Sequence, residues 1–405
     1  MRACMVTYSV YDGDSRVRRY AETLVKRGYH VDAVALWRGG QPQENSVING
    51  VNVFRIQGRF KNERSKFSYL AKLLLFFLRS MVFLAREQCK ERYDLIHVHS
   101  VPDFEVFAAS FPKLMGAKVI LDIHDIVPEF YTSKFGASPK SLTFKILVAI
   151  ERISAGFSDH VIAANHIWED RLRSRSVPAS KVTTILNFPD TDVFRLQGRT
   201  RNDGKFVLLY PGTLSYHQGL DIAVRAFYQI RDEVPDAEFH IYGSGDQLES
   251  LKSLVLELGL NDRVFFKGSR VVEQMVRVIE NADLGIVPKR KNGFGNEAFS
   301  TKILEFMAMR VPVIIPDTDV DKYYFNESVA KFFEAGNERS LASAMLLLIK
   351  DINLRETLVR NASEFVTRFT WEENQSIYLN VVDSLLGPGK RSDTITVLEK
   401  TNSQR

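Results

Sequence analysis

The sequence predicts an α/β protein made of two doubly wound, Rossmann-like domains, and three observations carry that prediction. The chain has 405 residues, more than one hydrophobic core usually supports, so two domains of roughly 150 to 200 residues are expected. Short β-rich runs alternate with helical patterns, the rhythm of a parallel sheet covered by helices on both faces. That rhythm stops at the polar stretch QGRTRNDGKF (residues 197–206) and then restarts.

The first series of strands reads ACMVTYSV, VDAVAL, VNVFRI, LIHVHSV, KVILDIHD, HVIAAN and VTTILN. Between the first two lies a helix ending in KRGYH, with Gly28 where a helix C-cap is expected. The second series reads VLLYPG, EFHIYGSG, RVFFKG, LGIVPK and VPVIIP. The expected division is therefore a first domain over 1–190, a linker near 188–205 and a second domain over 200–370. A helix over 371–386 is expected to bridge back to the first domain, and the polar tail 388–405 to be disordered.

Composition is globular, with 45% hydrophobic and 25% charged residues. Two cysteines, Cys4 and Cys89, fit a reducing compartment and exclude a disulfide framework or a cysteine metal cluster. The N-terminus runs directly into a strand-like segment, so no secretory signal is expected and the cytosol is the working compartment. A net charge of +5 does not point to nucleic acid, and no nucleic-acid partner is expected.

Residues 59–92 form a long apolar run flanked by basic clusters, with Lys72 and Arg79 inside it. Those interior charges argue against a membrane-spanning helix. Two readings remain open: an outer helix packed on its own sheet, or an amphipathic helix lying on an anionic leaflet at the cytoplasmic side.

In open α/β sheets, ligands bind where strand-to-helix loops converge at the carboxyl ends of the strands. The stretch GNEAFSTKILEFMAMRVPVIIP (295–316) follows one such strand. Its helix is expected to begin near Ser300, a good N-cap, with Thr301 and Lys302 in the first turn. Backbone amides there favour a phosphate, and Lys302 adds a positive charge. Lys289 and Arg290, just upstream, are further candidate phosphate partners. Glu297 and Glu305 can accept hydrogen bonds from vicinal hydroxyls, one in the loop and one a turn into the helix. A sugar, a diphosphate and a ribose in a row would satisfy all of these groups; a surface glutamate and a solvated loop acid are the plainer alternative.

Here the sequence resembles the retaining family-four glycosyltransferases, on the run EAFSTKILEFMAMRVPVI with its glutamates eight positions apart. The resemblance implies a GT-B fold, two Rossmann-like domains facing across a cleft, with the first domain on the acceptor side and the second binding the donor. It implies that Glu297 lies by the donor sugar and that Glu305 binds the ribose hydroxyls. Lys302 within Ser300-Thr301-Lys302 marks a subset of the family. The segment PGTLSYHQGLDIAVRAF resembles the loop set against the donor phosphates, with Gly212 and Gly219 matching. Thr213 and Gln218 stand where the family commonly has a basic residue and a lysine, which removes two cations from the expected pyrophosphate site. Gly243 and Gly245 of IYGSGDQ resemble the nucleotide side of that pocket, where backbone is expected to approach the donor closely.

In the first domain, His97 and His99 alternate along one strand and His124-Asp125 ends the next. A H-x-H pair beside an H-D pair is a possible metal site, but no third ligand cluster has clear spacing, and no metal is expected. The resemblance instead places His124 against the donor sugar and the reacting centre, with His99 near the cleft. His97 reads as a satisfied sheet histidine. Gly13, where the first strand turns into its helix, and Arg16 are acceptor-side candidates by resemblance, Arg16 as a partner for an anionic acceptor or donor phosphate. The triplets Asp190-Thr191-Asp192 and Asp317-Thr318-Asp319 sit in polar turns.

The implied activity is transfer of a sugar from a nucleotide-sugar to a glycan or lipid-linked acceptor, with no cofactor beyond the co-substrate. Alternatives from other classes are a GT-B nucleotide-sugar epimerase, a metal hydrolase using the H-x-H pair, and a non-catalytic nucleotide-sugar binding protein.

Overall fold

The computed structural model describes residues 1–39, 44–59, 66–135 and 138–387. The tail expected to be disordered, 388–405, and the basic segment 60–65 lie outside the described residues. The described residues divide into two compact units: one contains residues from 1–128, 138–186 and 374–387, and the other those from 129–135 and 187–373.

The strands are β1 (Arg2–Thr7), β2 (His30–Arg38), β3 (Ser46–Ile48), β4 (Val51–Arg59), β5 (Leu95–His99), β6 (Lys118–Ile123), β7 (His160–Ala163) and β8 (Val182–Thr184) in the first unit. The second unit holds β9 (Phe206–Pro211), β10 (Ala237–Tyr242), β11 (Val264–Gly268), β12 (Leu284–Ile286), β13 (Val313–Pro316) and β14 (Lys331–Phe333). The first sheet runs β3-β4-β2-β1-β5-β6-β7-β8 and the second β11-β10-β9-β12-β13-β14. Every pairing is parallel except β3 with β4.

Local chemistry explains the elements. Strand β1 is buried without interruption from Ala3 to Val6, the near-continuous apolar run of a strand covered on both faces. The helix Ser15–Lys26 starts on Asp14, whose carboxylate accepts from the Val17 amide at 3.2 Å. It stops at Gly28, which adopts φ +85°. The helix Lys66–Lys90 is the crossover from β4 to β5, and Leu73, Phe76, Ser80 and Leu84 are its buried line. It is also long and apolar enough to cross a membrane by length and composition, yet only 22% of its most apolar window is buried.

The last helix, Trp371–Leu386, returns the chain to the first unit. There Asp383 pairs with Arg27 at 2.7 Å and the Tyr378 hydroxyl lies 3.2 Å from His97 Nδ1. Two short strands, β3 and β14, were not in the sequence reading. Each has three residues.

Candidate functional site

In the first unit, β5 and β6 run side by side so that His99 is in register with Asp122. Asp122 is fully buried and organises its surroundings. Its two oxygens accept from Arg16 Nε at 2.8 Å and Nη2 at 2.7 Å, and one of them also lies 3.1 Å from His99 Nδ1 and 2.9 Å from His124 Nε2. Burial opposes its charge, but Arg16 and His124 hold the carboxylate well below the usual range. An ionised Asp122 can only accept, so His124 donates to it through Nε2.

His124 opens on a cleft of about 410 Å³ lined also by Ser9, Asp14, His99 and Asp125. Burial pushes the Asp125 carboxyl up to about 6, with His124 opposing. Asp14 goes the other way: burial would raise it, but His124 and the 2.7 Å bond from the Ser9 hydroxyl bring it below the ordinary carboxylate value. The cleft thus gathers, with the His124 imidazole, one carboxyl raised by burial and one lowered by its neighbours.

Arg16 is not available to an acceptor or a phosphate, contrary to the sequence expectation. It is 4% exposed, and its third hydrogen bond goes to the Ile185 carbonyl at 2.8 Å. The reason is the unscreened buried charge of Asp122, which needs a fixed counter-ion. Gly13 sits in the turn Tyr11–Gly13 just before the helix N-cap and is exposed. His97 is buried in a stack, 4.2 Å from the His99 ring centroid and 4.9 Å from Tyr20. Burial drives its pKa well down. His97, His99 and Asp122 bring ligand-type atoms within 4.8 Å of one another, but the Asp122 oxygens are already engaged by Arg16 and the two histidines.

In the second unit the loops after β9, β10 and β12 are packed backbone on backbone. The Gly212 amide donates to Tyr242 O at 2.8 Å, and the Leu214 amide to Ser244 O at 3.0 Å. A Cβ on Gly243 would stand 1.7 Å from the Gly212 carbonyl oxygen, and one on Gly212 would stand 2.3 Å from Lys302 Cε. Gly219 and Gly245 are likewise closed in, by Pro288 O and Leu214 O at 2.1 Å. The expected close backbone approach is therefore first an approach of these loops to one another. Tyr210 reaches beneath them, its hydroxyl 2.8 Å from Thr213 O and 3.1 Å from Gln218 Oε1. Thr213 itself is exposed.

The helix Thr301–Ala308 begins beside this turn. Ser300 holds the N-cap position without capping: among the described residues its side chain accepts no amide, and its buried hydroxyl has no hydrogen-bond partner. Lys302 lies against Gly212, with its ammonium 5.6 Å from the Tyr210 ring. Burial lowers the Lys302 pKa, with Glu305 opposing; burial raises Glu305, with Lys302 and a bond from Thr301 opposing. Glu297 is not in a loop but ends the short helix Phe294–Glu297, half-buried.

Two upstream cations expected at a phosphate are engaged within the fold. Lys289 is 2% exposed, bonded to Asp321 at 2.9 Å and to the Ala298 carbonyl at 2.8 Å. Arg290 pairs with Asp221 at 2.5 Å, donates to Tyr216 O at 3.0 Å and stacks over the Tyr216 ring. Both pin the loop after β12, because a buried or half-buried carboxylate nearby claims each charge. Thr318 of the second D-x-D triplet caps the helix Asp319–Tyr324, and its hydroxyl bonds Asp321. Asp190 of the first triplet accepts the Asp192 amide in a turn.

Sequence reasoning missed Asp122, Asp14 and Asp321. Asp122 had a signal: it is two residues from His124, so the two side chains share a face of one strand end.

Comparison with known proteins bears on the fold and the domain families. Residues 14–193 match Glycosyltransferase Family 4, and residues 195–365 match Glycosyl transferases group 1. An uncharacterized glycosyltransferase of Methanocaldococcus jannaschii is 25% identical over 386 residues, covering 89% of this chain and 91% of the relative. The phosphatidyl-myo-inositol mannosyltransferase of Mycobacterium leprae is 26% identical, over 74% of this chain and 75% of the relative. Among solved structures, sucrose-phosphate synthase from Thermosynechococcus elongatus superposes with a TM-score of 0.76 at 19% identity, over 95% of this chain and 100% of that one. Anabaena HepE in complex with UDP-glucose gives 0.70 at 17% identity, again over 95% and 100%. The fold is thus GT-B, and the chain carries a Glycosyltransferase Family 4 domain followed by a Glycosyl transferases group 1 domain.

Proposed function

We propose that the protein is a retaining hexosyltransferase that moves a sugar from a nucleotide-sugar to a glycan or lipid-linked acceptor during assembly of a cell-surface polysaccharide or glycoconjugate. The observation that carries this reading is the loop set of the second unit. Gly212, Gly219, Gly243 and Gly245 form a tight backbone floor, and Lys302 and Glu305 stand together at its edge. The HepE structure holds UDP-glucose and the mycobacterial relative is named a phosphatidyl-myo-inositol mannosyltransferase, which supports the two substrate classes.

In this reading Lys302 and the first turn of the helix Thr301–Ala308 stabilise charge as the pyrophosphate leaves. Glu305 holds the ribose hydroxyls, and Glu297 orients the donor sugar. His124, with Nε2 donating to Asp122, is the first unit's candidate for contact with the donor sugar's hydroxyls. No metal takes part, and the protein works at the cytoplasmic face of a membrane. The test is product analysis by NMR with an α-linked donor: an α-linked product supports retention, and a β-linked product overturns it.

A further inference from the structure

Three outer helices of the first unit share one side of its sheet. The connections β4 to β5, β5 to β6 and β6 to β7 all advance in the same direction along the sheet. Right-handed crossovers therefore place the helices Lys66–Lys90, Ser110–Leu114 and Leu142–Phe157 in one layer. The rings of Phe107 and Phe157 meet at 5.1 Å beneath that layer, and Lys113 lies 5.4 Å from the Phe157 ring.

The outward faces of these helices are apolar. The first exposes Leu74, Leu75, Leu78 and Val82, opposite its buried line. The third exposes Leu142, Ile146 and Ile153 at helical spacing, Leu142 at 73% and Ile153 at 63%. Between them Leu114 is 85% exposed. So much exposed apolar surface in one layer marks an interaction site.

Charge identifies the occupant. Arg79, Arg86, Lys145 and Arg152 are exposed on the same two long helices. Each helix carries a single acid, and both acids are paired: Glu87 with Arg2 and Lys90, and buried Glu151 with Arg175. Among the described residues none of the four cations forms an ion pair; Arg79 and Arg152 donate to the carbonyls of Ile56 and Arg175, and an apolar face set among such cations fits anionic lipid headgroups above acyl chains. We infer that the helices Lys66–Lys90 and Leu142–Phe157, with Leu114 between them, form one docking face on which the protein lies against an anionic bilayer. This rests on the proposed lipid-linked acceptor for its biological purpose, but not for its physics. It also goes beyond residues 59–92, because the third helix supplies half of the contact.

The test is flotation of the full chain with phosphatidylcholine vesicles, with and without phosphatidylglycerol. The variants are Leu74→Glu with Leu78→Glu, Ile146→Glu with Ile153→Glu, and Arg79→Ala with Arg86→Ala. All six positions are exposed, and circular dichroism checks that each protein is folded. The wild type floats only with the anionic vesicles, and each glutamate pair returns it to the soluble fraction. The arginine pair lowers partitioning about five-fold per charge removed, and added salt does the same. Wild type that stays soluble with anionic vesicles overturns the inference. So does retention of binding by the Ile146 and Ile153 pair, or self-association through this face without lipid. Nucleotide affinity, measured on the same variants, stays at the wild-type value; its loss in every protein, wild type included, would count against the transferase reading and not against the docking face.

Discussion

Replacing Arg16 with methionine should destabilise the protein without touching a substrate. In the structure its guanidinium makes three hydrogen bonds, two to Asp122 and one to Ile185 O, with side-chain exposures of 5% and 0% for the ion pair. Removing one partner of such a pair leaves an uncompensated buried charge, at a cost of about 3–5 kcal/mol. The effect depends on pH with a definite sign. Asp122 ionises in the folded protein well below its ordinary value, so its contribution is present above the unfolded pKa and is lost as pH falls through the folded one. Without Arg16 that depression shrinks, so the gap between the two proteins is widest near neutrality and narrows below about pH 4. Urea unfolding followed by circular dichroism across this range measures it. A variant of undiminished stability with weakened nucleotide affinity would refute the reasoning and restore Arg16 as an anion ligand.

Other substitutions probe the second unit. Gly243→Ala forces a Cβ against the Gly212 carbonyl, so urea unfolding should show a loss of at least about 1–3 kcal/mol, and nucleotide binding should weaken with it. Lys289→Met alone strands the buried Asp321 carboxylate and should cost about 3–5 kcal/mol, while adding Asp321→Leu should recover most of that in the same assay. Lys302→Met should weaken nucleotide-sugar binding about ten- to hundred-fold, the scale of one charge-assisted hydrogen bond. Because burial lowers the Lys302 pKa, wild-type affinity measured by calorimetry should begin to fall at a pH below the usual lysine range.

Much of this was legible in the sequence because parallel strands buried on both faces read as apolar runs. All seven runs of the first series and all five of the second correspond to strands. The glycines were legible as close-approach positions, but what approaches them was not: the contacts join loops such as 212 and 243, distant in sequence. The same blindness misplaced the cations. Arg16 meets a carboxylate 106 positions away, and Lys289 turns inward to Asp321; periodicity cannot say where a long side chain ends. Likewise, helix Lys66–Lys90 read as packed or membrane-facing, and its structure has one buried line and one exposed face, leaving room for both.

The central claim is that the second unit binds a nucleotide-sugar, and calorimetric titration tests it most directly. UDP, GDP, ADP and their common sugar conjugates are titrated into the wild type and into Glu305→Ala, each with and without chelator. One nucleotide is expected to bind, equally well with chelator present, and the substitution to weaken it. Failure of every nucleotide to bind the folded wild type would contradict the account, leaving a GT-B fold whose donor loops, lacking cations at Thr213 and Gln218, no longer hold a donor.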